Sequence, residues 1–287
     1  MRSIRKIGYD SGWGNKDYGC QDGPLALEKK LGVESIGASM LAQRAAYQTK
    51  ESCLPLLLAS LGLLKEAVTD ALQKKEIPVV FGGDHTCAVA TWSAVAEFYA
   101  GKECGLLWLD AHLDAHTAAT AHEGKWGGWW HGMPIAALTG GEKDVFKDIA
   151  GGKQQIKPKN LEQIGIRSFE PAEEKYVQAH NIAVTYAQDI AAGGFVQCFH
   201  DKLERIVAST DIFGISIDLD GFDPRDVPGV GTPEEGGIRL AEALETLKDL
   251  GRHEKLVAVE IVEFNPHHDE NNKTLDAIEK LLDTIFS

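Results

Sequence analysis

Two short stretches of this sequence carry acid and imidazole groups at spacings that suit metal ions. Asp110, His112 and Asp114 stand two residues apart, directly after the apolar run Leu106-Leu107-Trp108-Leu109. In an extended chain residues two apart share a side, so all three would emerge together at the end of a buried strand. Alternating carboxylate, imidazole and carboxylate on one buried face leave charge stranded unless something positive lies between them. A divalent cation meets that need. Asp218 and Asp220 repeat the pattern after Ile215-Ser216-Ile217. A sixth donor, His85, follows Gly82-Gly83-Asp84 at the end of the apolar run Ile77 to Phe81. There the glycines permit a sharp turn that faces the imidazole outward. Six donors exceed what one ion takes while leaving room for substrate, and two ions fit the number. The set contains no thiolate and suits Mn, Fe, Ni, Zn or Co. Such a pair provides hydroxide at neutral pH, because metal binding lowers the pKa of water.

Holding these groups together requires strands that end side by side. The expected order is a short strand at Ile4 to Gly8, a helix at Leu54 to Lys74 and a strand at Ile77 to Phe81. A helix at Ala88 to Ala100 and a strand at Gly105 to Leu109 follow. Strand and helix alternate with short connections, as in a parallel sheet covered on both faces, and ligands then gather beyond the carboxyl ends of the strands. Further on, strands are expected at Ile164 to Ile166, Ile182 to Tyr186, Ile212 to Leu219 and Leu256 to Val262. Helices are expected at Met133 to Leu138, Pro171 to His180, Asp201 to Ala208 and Asn272 to Ile285. Tyr9 to Pro24 is rich in Gly, Asp and Asn and reads as a long loop over the sheet edge, a candidate rim for the site.

Composition narrows the partners. The 287 residues include 43 acidic and 29 basic side chains, a formal net charge of −14. That balance disfavours nucleic acid and anionic membrane and is compatible with a cationic substrate. Five scattered cysteines form no CxxC pair, which points to a reducing compartment. Cys87 lies close to His85, but Thr86, Ala88, Val89 and Ala90 around it read as a helix wall rather than a nucleophile's setting. No segment reads as a transmembrane span, and a soluble cytoplasmic protein is the expectation.

With these residues placed, the chain resembles the arginase and agmatinase family of ureohydrolases. The resemblance runs from the loop before Gly23-Pro24 to Glu263-Phe264-Asn265-Pro266. It rests on Gly-Gly-Asp-His at 82–85, Asp-Ala-His-Leu-Asp at 110–114, His-Gly-Met-Pro at 131–134 and Ser-Ile-Asp-Leu-Asp-Gly-Phe-Asp-Pro at 216–224, in that order. It implies one catalytic domain over 1–287, a three-layer α/β/α fold with a mainly parallel eight-stranded sheet, and a homotrimer or homohexamer. It also implies two divalent ions, usually manganese, with Ni, Co, Fe or Zn as substitutes. By the same resemblance, His85, Asp110, His112, Asp114, Asp218 and Asp220 are the ligands, with Asp114 and Asp218 as bridges. His131 is the proton-transfer group, Glu263 holds the guanidinium, and Asp84 orients His85 or its loop. Asp114 counts with His131 and Glu263 as catalytic. The implied reaction is attack of hydroxide on the carbon of a guanidino or amidino compound, with loss of an amine.

The chain departs from arginases where the rest of the substrate is held. In place of the polar run that binds a substrate carboxylate stand His116, Gly127 and Trp129, and the segment is longer. Ser168 and Glu170 replace an aspartate pair. Trp126, Trp129 and Trp130 read either as an aromatic wall beside the site or as a subunit interface. The expected substrate contacts are Glu263, Glu170, His116, Trp129 and Trp130. Aromatic faces cannot replace the donors a desolvated carboxylate needs. A guanidine without that carboxylate, such as agmatine or something smaller, is therefore the expected substrate. Formiminoglutamate hydrolysis, or a non-catalytic metal-binding protein on the same scaffold, are the alternatives.

Overall fold

The computed structural model describes residues 2–15, 18–37, 50–121 and 129–287. Among them, eight strands form one all-parallel sheet: β1 (Ile4–Tyr9), β2 (Glu34–Ser35), β3 (Ile77–Gly82), β4 (Cys104–Leu109), β5 (Leu161–Ile166), β6 (Ala183–Tyr186), β7 (Ile212–Asp218) and β8 (Leu256–Val262). Their order is β2-β1-β3-β8-β7-β4-β5-β6.

The apolar runs become strands because both faces of the sheet are covered, so no polar alternation is needed. In β4, Leu106 and Trp108 enter one core and Leu107 and Leu109 the other. The first core is closed by α2 (Lys50–Gln73) and α3 (Cys87–Phe98), with α4 (Pro134–Leu138) and α5 (Lys147–Ala150) beside them. On the opposite face lie α1 (Asp22–Leu31), α8 (Phe195–Ser209), α9 (Leu240–Thr246) and α10 (Lys273–Ile285). Two further helices, α6 (Pro171–Ala179) and α7 (Ala187–Gly193), join the outer strands.

β2 and α7 had no counterpart among the expected elements, and three further elements differ from expectation in ways that bear on the fold. α1 starts inside the stretch read as loop, where Gly23 backs directly onto Phe264 and Leu27 and Leu31 are buried. Local turn composition concealed a helix stabilised by tertiary packing. α8 begins at Phe195 rather than Asp201, because Phe195 and Phe199 are both buried one turn apart. By length and hydropathy, 51–73 is long and apolar enough to cross a membrane, with an 18-residue window inside it at a mean hydropathy of 1.4, contrary to expectation. In the fold its Leu57, Leu61, Leu64 and Val68 are buried in the core, as in the central helix of a globular protein.

The last strands in sequence fill the middle of the sheet, with β7 between β4 and β8, and β8 between β7 and β3. β7 approaches α3 so closely that a Cβ on Gly214 would overlap the ring of Trp92 and lie 3.2 Å from the Ala258 carbonyl. Gly214→Ala is therefore expected to cost about 1–3 kcal/mol through overpacking. The check is a lower urea midpoint with an unchanged m-value; an unchanged midpoint would show that Trp92 can move aside.

Candidate metal centre

The carboxyl ends of β3, β8, β7 and β4 lie next to one another, and every proposed ligand sits just beyond them. His85 leaves the β3 turn, Asp110, His112 and Asp114 follow β4, Asp218 ends β7, and Asp220 lies in the tight turn after it. His85 Nδ1 is 2.9 Å from Asp218, 3.2 Å from Asp114 and 3.3 Å from Asp110. His112 Nδ1 is 3.1 Å from Asp220 and 3.5 Å from Asp110. The atoms form two donor groups, His85–Asp110–Asp218 and Asp110–His112–Asp220, each with its ligand atoms within 4.8 Å of one another. Asp110 is common to both. Asp114 and Asp218, both expected as bridges, each lie beside His85, and Asp114 does so from a left-handed backbone, φ 48°. Such a conformation is costly for a residue with a side chain and persists where the surroundings enforce it.

These residues fit metal ions. Asp110, Asp114, Asp218 and Asp220 are all buried, and His85 Nδ1 has no hydrogen-bond partner among the described residues although three carboxylates surround it. Burial, then the charges of Asp220 and Asp110, pushes Asp218 well above the usual carboxylate range. Burial and Asp110 move Asp114 the same way. Burial by itself would keep His85 neutral, but Asp110, Asp114 and Asp218 raise its pKa well above the histidine value. So many acids cannot all ionise together without a cation.

A second layer of contacts aims these ligands. The Trp108 indole donates to Asp110 Oδ2 at 2.8 Å, and its ring stacks on His85 at 4.0 Å. His85 Nε2 meets Ser216 Oγ at 3.0 Å; Ser216 in turn donates to the buried Glu260, which also accepts from Trp92. Thr232 donates to Asp220 Oδ2 at 2.8 Å. Arg167 donates to the main-chain carbonyls of Asp220, Gly221, Phe222, Glu234 and Glu235, clamping the loop that carries Thr232. Sequence reasoning assigned no role to Ser216, Glu260, Thr232 or Arg167. Only Glu260 left a signal, as a lone charge within the apolar run of β8.

His131 and Glu263 face each other across the site. His131 Nδ1 is 3.7 Å from Glu263 Oε1, while Glu263 Oε2 is buried with no hydrogen-bond partner among the described residues. Burial opposes both charges, yet each partner prevails: Glu263 raises the pKa of His131, and His131 lowers that of Glu263. Glu263 also has a left-handed backbone, φ 65°, and its Oε1 accepts from the His85 amide at 2.9 Å. Asp84 binds no ligand group. It accepts from the Gly14 and Thr86 amides, and the Gly14 carbonyl accepts from the His131 amide. The loop expected as a rim thus positions His131. Gly83 lies so close to the Ser11 carbonyl that a Cβ would not fit.

The expected substrate contacts divide. His116 Nε2 meets Glu170 Oε2 at 2.9 Å, and its Nδ1 lies 3.2 Å from Thr120 Oγ1. Glu170 and Glu173 also cap α6 reciprocally, and Glu173 accepts from the Ala115 amide. Burial chiefly pushes the Glu173 carboxyl up to about 8, with the Glu170 side chain adding to it. Trp130 is buried in the apolar core and so does not stand as an open wall, whereas Trp129 is half-buried and meets it edge-on. Trp126, Gly127 and His122 lie outside the described residues. Cys87 is a buried wall residue of α3, and burial raises its thiol pKa, the opposite of an activated nucleophile.

A sequence model of the arginase family matches residues 3–287. An arginase from Bacillus subtilis (strain 168) is 32% identical, with 99% of this chain and 98% of that one covered. An arginase from Bacillus caldovelox is 34% identical over 223 residues, 78% of this chain and 73% of that one. The crystal structure of arginase from Bacillus subtilis matches with a TM-score of 0.85 at 29% identity, covering 100% of this chain and 99% of that one.

Proposed function

This chain belongs to the arginase family of hydrolases, and from that premise we propose that it cleaves a guanidino carbon–nitrogen bond at a two-metal centre and releases urea. The observation that carries this reading is the pair of buried donor groups sharing Asp110. His85, Asp110, Asp114 and Asp218 would hold one ion, and Asp110, His112 and Asp220 the other. Manganese is the proposed metal, with nickel, cobalt, iron and zinc as substitutes. When bound, the pair supplies a hydroxide nucleophile at neutral pH.

The protein's own groups do the remaining work. Glu263 offers its open Oε2 to the planar guanidinium, which a carboxylate can hold through two charge-assisted hydrogen bonds. Its fixed backbone and bond to the His85 amide set the distance between cation and ligands. His131, held by the Gly14 carbonyl and paired with Glu263, moves a proton to the departing amine. The reading extends to a single domain over 1–287, a cytoplasmic location and a homotrimer or homohexamer, the last to be checked by sedimentation at micromolar protein.

Specificity follows from the groups beside Asp114. His116, Glu170 and Glu173 form an acid-rich cluster, and Arg167 is committed to main-chain carbonyls. A substrate ending in an amine suits that cluster better than one ending in a carboxylate, which would meet like charge. Agmatine or a smaller guanidine is thus the expected substrate. The arginases from Bacillus favour a second reading, L-arginine. A urea-release panel of both with guanidinobutyrate, guanidine and formiminoglutamate, run with each metal, separates them. The expected result is a higher kcat/KM for agmatine or guanidine than for L-arginine; the reverse order sinks the specificity reading and leaves the metal chemistry intact. Formamide release from formiminoglutamate alone would move the protein to formimino chemistry. Tight metal binding without any turnover would make it a binding protein.

A further inference from the structure

We propose that Glu234 is the outer carboxylate that orients the ring of His112 and thereby sets how firmly the second metal position is held; the inference rests on the two-metal reading above. His112 turns Nδ1 toward Asp110 and Asp220, so Nε2 must carry the ring proton. A ligand histidine needs an acceptor there to keep its tautomer and orientation. Among the described residues, His112 Nε2 is buried and has no hydrogen-bond partner. Glu234 Oε1 lies 3.9 Å from it, beyond a direct bond but within the adjustment of one side-chain torsion or the reach of one bridging water.

Three further contacts tie Glu234 to this place. Ser168 donates to Glu234 Oε1 at 3.0 Å, and Ser168 is the residue that pairs with His112 across an isolated parallel bridge. Arg167 Nη2 donates to the Glu234 carbonyl at 2.8 Å and also to the Asp220 carbonyl. Thr232, two residues before Glu234, donates to Asp220 Oδ2. The 232–234 segment therefore bonds one candidate ligand carboxylate directly, reaches that residue's main chain through Arg167, and brings a carboxylate to 3.9 Å from the unpartnered imidazole nitrogen. Among the described residues, no hydrogen bond joins the segment to His85 or Asp218. His85 Nε2 is satisfied from inside the sheet by Ser216 and Glu260, both fully buried. Glu234, by contrast, keeps 31% of its side chain exposed. One position is held by a buried relay and the other by a carboxylate on a surface loop, so the two should differ in how readily they lose metal.

The test loads the full-length protein with cobalt and follows release of each ion to a chelator in wild type, Glu234→Gln, Glu234→Asp and Ser168→Ala. In parallel, NMR records the paramagnetically shifted imidazole N–H signals. The expected result for Glu234→Gln is loss of one of the two cobalt ions about 10–100-fold faster, the other leaving at the wild-type rate. One shifted N–H signal should also exchange faster with solvent. Glu234→Asp should recover part of the difference, and Ser168→Ala should move the same ion by a smaller factor. Release of both ions at wild-type rates in Glu234→Gln, or equal acceleration of both, overturns the proposal. Wild-type protein that takes up only one cobalt, or none, overturns the two-metal reading and this inference with it.

Discussion

Replacing Asp110 by alanine is expected to abolish occupancy of both metal positions and to lower turnover by about 10³-fold or more, since water without its metal is a far weaker acid. Asp110 is the carboxylate common to both donor groups. It lies 3.3 Å from His85 Nδ1 and 3.5 Å from His112 Nδ1. Its removal takes a ligand from each position at once and leaves the Trp108 indole and the His112 amide without their acceptor. Asp220→Ala is the informative partner. Asp220 belongs to one group only, so this variant should retain about one ion per chain and still lose turnover, as a two-metal mechanism requires. Metal analysis after dialysis against excess manganese, together with urea-release kinetics, measures both. Two ions retained in Asp110→Ala would show that the shared-carboxylate geometry is not what binds them. Circular dichroism on the same samples separates metal loss from unfolding.

Replacing His131 by asparagine is expected to leave both metal ions in place and to lower kcat by about 10²–10⁴-fold, the usual range for losing a positioned proton-transfer group. Among the described residues, the His131 side chain pairs with Glu263 and its main chain bonds Gly14, while Asp114 and Asp84 act on it through their charge. KM should change less than kcat, because Glu263, which holds the cation in this reading, keeps its bond to the His85 amide. Full metal content with near-wild-type kcat would remove His131 from the mechanism and pass its role to His116 or to solvent. Loss of metal along with activity would instead make it a structural residue of the ligand shell.

The fold, and the clustering of the six candidate ligands, were largely legible in the sequence. Runs such as Leu106 to Leu109 and Leu256 to Val262 are apolar throughout because helices cover both faces, and that pattern marks interior parallel strands without regard to the rest of the chain. The six candidate ligands stand out because carboxylates and imidazoles in close succession at strand ends are costly to bury without a cation. α1 was not legible, since its start is glycine and proline and its stabilisation comes from distant residues such as Phe264. The burial of Trp130 was not legible either, because the 126–130 segment does not itself say which of its rings the core will take.

Residue types and spacing thus determined that this protein gathers two histidines and four aspartates at the ends of parallel strands. The tertiary structure alone decided which of them is shared. A period of two in sequence treats Asp110, His112 and Asp114 alike, but that rule holds only while the chain is extended. β4 ends at Leu109, and beyond it the backbone turns until Asp114 reaches φ 48°. Asp110 is left between the two imidazoles and Asp114 beside only one. Ser216 and Glu234 were hidden for the same kind of reason, whereas Glu260 showed as a lone charge within β8. Each is distant in sequence from the histidine it faces, and only the order β3-β8-β7-β4 and the loop after β7 bring them within reach.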